Sequence, residues 1–474
     1  MVFNSANFLL FFGAFFLLYW FVNKRLSVSF RNALILLASY WFYGAWDWRF
    51  LGLIVLSSLI DFMLGQRIFQ SKSERQRRLL VGTSLMVNLG ILGFFKYFHF
   101  FVGSFSQLLN AMGVDVPTST LEIILPVGIS FYTFQTLSYT LDIYKRKIKP
   151  AKDWLSFFAF VAFFPQLVAG PIERASSLLP QFYEKKVFER SNYVSGLRLV
   201  LWGFFQKIVI ADNFGVLADA IFDSTMEANG LTVLVGTFFF GLQIYADFSG
   251  YSSIAIGLSR MLGFQLMTNF QTPYLATSFR DFWQRWHISL STWFRDYLYI
   301  PLGGSRKGLG RTYVNLIITF LLSGLWHGAN ITFLIWGGMH GVLLAVERRL
   351  AWHRGSVLYA PVVFGLVMLL WLPFRAKGWS HLSQLLTSLV QFSAYNLSQL
   401  SEIIAAFSFT RFGVLLAVLG LTGTVELKLR NSNLDSWLSS TQRSWRWAFY
   451  YAVILILLGV GNFSVKPSFI YFQF

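Results

Sequence analysis

Long apolar runs, separated by short polar and mostly basic stretches, set the pattern of this chain. FLLFFGAFFLLYWFV (8–22), LTVLVGTFFFGLQIYA (231–246), VLYAPVVFGLVMLLWLPF (357–374) and AFYYAVILILLGVGNF (448–463) are the clearest. With their flanks they approach the ~20 helical residues that cross a hydrocarbon core of ~30 Å. Read coarsely, the pattern predicts apolar helices over 6–22, 33–63 with an interruption, 79–105, 120–144, 154–170, 192–212, 230–262, 313–346, 357–375, 411–426 and 446–463. Gly250 and Gly257 mark a place where the 230–262 segment could divide. The expected fold is an all-α polytopic membrane protein with roughly 10–12 spanning or re-entrant helices. A single integral-membrane domain over 1–474 is the simplest organisation, with the more distinctive motifs between about 120 and 350.

Segment 278–311, SFRDFWQRWHISLSTWFRDYLYIPLGGSRKGLGR, breaks this pattern. It is too charged to span and too aromatic for an ordinary loop. As one continuous helix it would carry Phe282, Trp286, Leu290, Trp293, Phe294 and Tyr297 on one face. Asp281, Gln284, Arg285, Thr292, Arg295 and Asp296 would gather on the other, the signature of a helix lying in the membrane interface. A plain amphipathic connector has the same pattern.

Composition supports the membrane reading. The chain is 55% hydrophobic and only 13% charged, against roughly 25% for an average soluble domain. It contains no cysteine, so disulfides, thiolate metal ligands and a cysteine nucleophile are excluded. The net charge of +18 concentrates in basic loops at 67–78, 145–152, 305–311 and 347–354. That distribution fits the cytoplasmic loops of a membrane protein, not a nucleic-acid surface. The first apolar run lacks a basic leader and a cleavage pattern, so it is expected to be a retained span.

Candidate chemistry centres on the six histidines. His353 and His381 lie in polar stretches and His99 ends an aromatic span, all ordinary settings. His327 differs: it sits in SGLWHGAN, one helical turn after Ser323, flanked by Gly324 and Gly328, with Asn330 following. Small residues there admit a second helix or a ligand, and an ionisable group within an apolar segment points to function. A packed structural histidine is the alternative reading. On an unbroken helix His340 would lie about 20 Å further along the axis and about 140° around it, which favours a structural role. The two could share a proton only if the helix broke at Gly328-Ala329-Asn330. His287 falls at the edge between the two faces of the 278–311 helix.

Asp247, in QIYADFSGYS, is the one carboxylate deep in an apolar context. Pairing with an arginine such as Arg260 or Arg280 is its favoured explanation. No HExxH or carboxylate-rich cluster argues for a metal, and none is expected. GGSRKGLGR (303–311) fails the phosphate-loop spacing but can hold anionic phosphates as a basic loop beside a helix.

DFSGYSSIAIGLSRMLGF, NFQTPYLATSFRDFWQRWHISLSTWFRDYLYIPLGGSRKG and NLIITFLLSGLWHGANITFLIWGGMHG together resemble the membrane-bound O-acyltransferase family. The resemblance is to its bacterial alginate O-acetyltransferase branch, and MVFNSANFLLFF, LPVGISFYTFQTLSYTLDIYKRK and FFPQLVAGPIER extend it over residues 1 to about 350. It implies a helical enzyme around a central tunnel, with interfacial helices, in the bacterial inner membrane. A cytoplasmic thioester, acetyl-CoA, would be the donor, with no bound cofactor. His327 matches the family's signature histidine and His287 its partner. Ser323, Asn330, Asp247, Trp326 and Trp286 are candidates for lining the tunnel. The implied function is O-acetylation of an extracytoplasmic polysaccharide such as alginate. It would involve membrane lipid and periplasmic acetyl-carrier or acetyltransferase partners. Peptidoglycan, cellulose or another exopolysaccharide, or D-alanylation of teichoic acid, are alternative outcomes within the enzyme class. A transporter or an envelope scaffold is the rival outside it.

Overall fold

The computed structural model describes residues 1–114, 123–168, 170–223, 228–350, 357–464 and 469–470. Among these residues the structure is helical throughout, without strands. Among the described residues, eight helical stretches are long and apolar enough to cross a membrane. The residues group into two compact units, one formed by 1–193 and 258–267, the other by 194–257 and 268–474.

In the first unit, α1 (Ala6–Arg25) and α2 (Val28–Asp47) start at serine caps, where Ser5 and Ser27 accept from the amides of Phe8 and Phe30. A single 3₁₀ turn at Trp48–Phe50 interrupts the second apolar stretch before α3 (Leu51–Gln70), as expected for 33–63. Then come α4 (Glu74–Leu92), α5 (Phe98–Ala111) and α6 (Ile129–Tyr144); residues 115–122, where the 120–144 helix was expected to start, lie outside the described residues. Asp61 of α3 is fully buried and accepts from Ser84 Oγ at 2.6 Å and Asn88 Nδ2 at 2.8 Å, both on α4. Hydrogen bonds from neighbouring helices satisfy a carboxyl that lipid could not. The basic loops 67–78 and 145–152 meet: the Tyr144 hydroxyl donates to Glu74 and Arg146 donates to the carbonyl of Phe69. They therefore lie on one side, as the charge pattern predicts.

In the second unit, α7 (Arg190–Phe204) runs through a wider π-helical stretch at Phe205–Ala211 into α8 (Asp212–Phe222). The following segment, α9 (Gly230–Met261), is one unbroken helix. Gly250 and Gly257 do not divide it. A Cβ on Gly250 would stand 2.8 Å from the carbonyl oxygen of Gly203, and one on Gly257 2.6 Å from that of Gly196. Both glycines serve close approach to α7 and not a break.

The 278–311 segment differs from the expected single helix. It divides into α10 (Phe279–Arg285), α11 (Ile288–Phe294) and a π-turn at Arg295–Tyr299. Phe282, Trp286, Leu290, Trp293 and Phe294 are buried in protein instead of lying among acyl chains. The cause is His287, whose φ of 42° puts it in the left-handed region and turns the chain between the two short helices.

The expected 313–346 helix is likewise two, α12 (Leu309–His327) and α13 (Ile331–Arg349). They fold into a hairpin, because Gly328 is extended and Asn330 caps α13 by accepting from the Thr332 amide at 3.1 Å. Gly324 and Gly337 face one another so closely that a Cβ on either would collide with a backbone carbonyl of the other helix, that of Phe333 or Phe320. A further apolar helix, α14 (Ala360–Arg375), packs against this hairpin. The basic loop at 305–311 meets α13 through a hydrogen bond from Arg348 to Ser305 at 3.1 Å. His353 lies outside the described residues.

Candidate active site

The hairpin and the turn at His287 bring two histidines together. The ring centroids of His287 and His327 are 6.3 Å apart, with the planes inclined at 60°. Both are buried, at 0% and 2% exposure. His327 ends α12 and is walled by Trp326, Trp336 and Phe374, with centroids 5.1, 5.0 and 5.3 Å away. His287 meets the edge or face of Phe248 at 4.6 Å and Trp326 at 5.9 Å. Burial among these rings holds the His287 imidazole neutral, with its pKa pushed down to about 3.

A cavity of about 570 Å³ is lined by Ile288, which follows His287, and by residues of α12; neither histidine is in its wall. Ser323, one turn before His327 on α12, lines it together with Trp283 and Ser291. Exposed Arg280, Arg295 and Arg348 form part of its wall. Glu347 also lines it, and its carboxylate accepts from the amides of Phe279 and Arg280 at 2.5 and 3.2 Å, fastening the start of α10. An apolar and hydroxyl-lined chamber with a cationic wall suits a long ligand with an acyl end and an anionic end.

The remaining candidates separate. Trp326 touches both histidines, and Trp286 stacks on Phe282 at 5.6 Å and meets Trp371 at 4.9 Å in the aromatic wall. Asn330 is a helix cap, and its Nδ2 donates to the carbonyl of Lys377 at 3.0 Å. Asp247 pairs with neither Arg260 nor Arg280. Lys207 Nζ sits 2.8 Å from Asp247 Oδ1 and 2.8 Å from Asp212 Oδ1. The π-helical winding places Lys207 within α7–α8 opposite α9, so the buried partner is local to this helix pair. Asp247 Oδ2 also accepts from the amide of Ile470 at 2.7 Å.

His340 is fully buried, between Phe282, whose ring is parallel at 6.1 Å, and Trp283 at 5.0 Å. The hairpin brings it far closer to His327 than a straight helix would, since both contact Trp336. That tryptophan packs against both rings, at 5.0 and 4.9 Å.

Two polar residues of this region were not foreseen. Lys207 sits in an apolar helix, where any ammonium is costly, and that cost was the signal that could have found it. Asn269, in the NFQTP turn, is fully buried and bonds to His287. Only the folded geometry shows that contact.

A polytopic helical membrane protein with a buried histidine pair fits a membrane-embedded enzyme. The comparisons specify which. Residues 151–354 match the membrane-bound O-acyltransferase family. The chain is 41% identical over 410 residues to a probable alginate O-acetylase of Pseudomonas putida, covering 85% of this chain and 83% of the relative. It is 35% identical over 401 residues to a peptidoglycan O-acetyltransferase of Helicobacter pylori, covering 78% and 75%. A teichoic acid D-alanyltransferase of Bacillus subtilis is 28% identical over 233 residues, covering 46% and 58%. The chain belongs to the membrane-bound O-acyltransferase family and is an acyltransferase.

Proposed function

We propose that the protein takes an acetyl group from a cytoplasmic thioester, acetyl-CoA, and passes it across the inner membrane for O-acetylation of an extracytoplasmic polysaccharide. The observation that carries this reading is the buried pair His287 and His327, 6.3 Å apart, with the chamber that Ile288 and Ser323 line. In it, the acyl thioester reaches toward Ser323 while the phosphates of the donor lie against Arg280, Arg295 and Arg348. His327 takes the proton of the acceptor hydroxyl as its oxygen attacks the thioester carbonyl carbon. The carbon–sulfur bond breaks, and the departing thiolate receives that proton. His287 orients the acceptor. A neutral imidazole is the form a general base requires. Trp326, Trp336 and Phe374 exclude water, which would otherwise take the acetyl group as hydrolysis.

Alginate is the favoured acceptor because the relatives of that description match over the largest share of the chain. The peptidoglycan relative supports a second acceptor, reached by the same chemistry. Periplasmic partners complete the transfer in either case. Purified protein supplied with radiolabelled acetyl-CoA tests the reading. A folded His327→Ala protein is expected to lose acetyl transfer, and one that transfers at the native rate would overturn it.

A further inference from the structure

We propose that Asn269 is a positioning residue that holds His287 in a single tautomer, with the proton on Nδ1 and the Nε2 lone pair directed into the site. The assignment rests on which atom of the Asn269 amide faces His287. Asn269 Oδ1 lies 3.1 Å from His287 Nδ1, 3.3 Å from the backbone nitrogen of Ser289 and 2.9 Å from Ser289 Oγ. A backbone N–H can only donate, so the amide atom facing it must be the oxygen. At the opposite end Asn269 Nδ2 donates to Ser252 Oγ at 3.0 Å, a hydroxyl able to serve either orientation, so the Ser289 N–H decides. An amide rotated the other way would set its NH₂ against the Ser289 N–H. Ser289 Oγ also stands 3.4 Å from His287 Nδ1, but its shorter contact, 2.9 Å, is to Asn269 Oδ1, to which it donates. The oxygen nearest Nδ1 is that of Asn269, at 3.1 Å, and it accepts from Nδ1, which therefore carries the hydrogen and leaves Nε2 as the acceptor of the neutral ring.

The backbone adds to the same lock. The carbonyl of Asn269 accepts from the Ile288 amide at 2.9 Å, and the Gln271 amide donates to the carbonyl of Arg285 at 3.0 Å. Asn269 thus holds the residues at and after the left-handed turn, Gln271 holds Arg285 before it, and together they fix the ring's direction with its tautomer.

The consequence separates roles within the pair. Neutral His287 accepts a hydrogen bond at Nε2 and cannot donate one there to a developing oxyanion. It orients the acceptor group by taking a hydrogen bond from one of its O–H groups. Asn269 is uncharged, so it sets the tautomer without favouring the imidazolium, which a carboxylate in its place would do. The other titratable groups on the packed elements include His327, Tyr245 with its partner Glu426, Lys207 with Asp247 and Asp212, Tyr251 and Arg260 on α9, Tyr274, Arg280 and the Arg285–Asp281 pair.

The inference rests on the acyl-transfer reading for its activity arm only; the tautomer is measured without turnover. Full-length protein labelled with ¹⁵N-histidine, compared with His287→Gln to assign the signals, reports which ring nitrogen of His287 carries hydrogen. Protonated Nδ1 with unprotonated Nε2 is expected, and the reverse tautomer would overturn the proposal. Asn269→Leu is expected to mix or reverse the tautomer. It should also lower acetyl transfer by about 10- to 100-fold, by analogy with the loss when partners that orient metal-bound histidines are removed. If Asn269→Leu does not fold, the isosteric Asn269→Asp still decides. Its carboxylate favours imidazolium, so the acidic limb of the pH–rate profile moves to higher pH. An unmoved limb in a folded Asn269→Asp protein would refute positioning through His287.

Discussion

Lys207→Met removes the one ammonium that stands between two buried carboxylates. Lys207 Nζ is 2.8 Å from both Asp212 and Asp247, and the three side chains are 3%, 9% and 3% exposed. At that separation and an effective dielectric of about 20, each pair attracts by about 6 kcal/mol before desolvation is subtracted. Desolvation cancels much of this, and truncating one partner of a buried pair costs about 3–5 kcal/mol, because the remaining charges stay buried. Against a typical stability of about 5–15 kcal/mol, that loss is large. Unfolding of the detergent-solubilised protein, followed by tryptophan fluorescence, should show a midpoint lowered by roughly 3–5 °C. The triple variant Lys207→Met, Asp212→Asn, Asp247→Asn should recover most of this, since it leaves no unpaired charge. Activity should fall in the single variant too, because Phe248, beside Asp247, packs its ring 4.6 Å from His287. A single variant as stable as the parent, or a triple variant no better than the single, would refute the assignment of this triad as a structural anchor.

Three further outcomes can be checked. Gly337→Ala forces its Cβ into the carbonyl of Phe320, so the α12–α13 hairpin must part; a loss of about 1–3 kcal/mol is expected in thermal unfolding, with reduced transfer. Arg280→Gln, Arg295→Gln and Arg348→Gln should each raise the KM for acetyl-CoA about fivefold, roughly 1 kcal/mol, with kcat little changed; equal KM values would remove the phosphates from that wall. Burial holds His287 neutral down to a pH of about 3, whereas an unfolded histidine protonates near 6.5. Between those values the unfolded state binds the extra proton, so stability falls as pH drops. Midpoints measured at pH 7 and pH 5 should differ less in His287→Gln than in the parent.

Periodicity and length made the helices legible, along with the interruption near Trp48–Phe50 and the sidedness of the basic loops. Where the pattern misled, a local conformation overrode it. A helical wheel assumes regular dihedrals, and residue 287 does not have them. The same assumption kept His327 and His340 apart until Gly328 and Asn330 ended one helix and began another. The glycines at 250 and 257 carried a correct signal of smallness, but sequence does not distinguish a break from a close helix contact. Of the candidate site, the two histidines and Trp326 converge, and Ser323 lines the neighbouring chamber. Asn330 and Asp247 proved to be a cap and an ion-pair partner, roles set by neighbours distant in sequence.

The turn at His287 joins these strands of argument. A left-handed backbone costs a β-carbon residue about 1–2 kcal/mol, and glycine would adopt it at almost no cost. Histidine tolerates that region better than most residues, but less well than glycine. Its presence is instead matched to the surroundings: Asn269 supplies its side-chain oxygen to Nδ1 and to Ser289, and its backbone oxygen to Ile288. Those bonds offset the strain and, by fixing Nδ1 as donor, define the chemistry available at Nε2. A strained backbone held by its neighbours is the pattern found where position matters more than local stability. The same turn that defeats the helical wheel points an imidazole at His327 from the opposite side, and without it the pair at 6.3 Å would not exist.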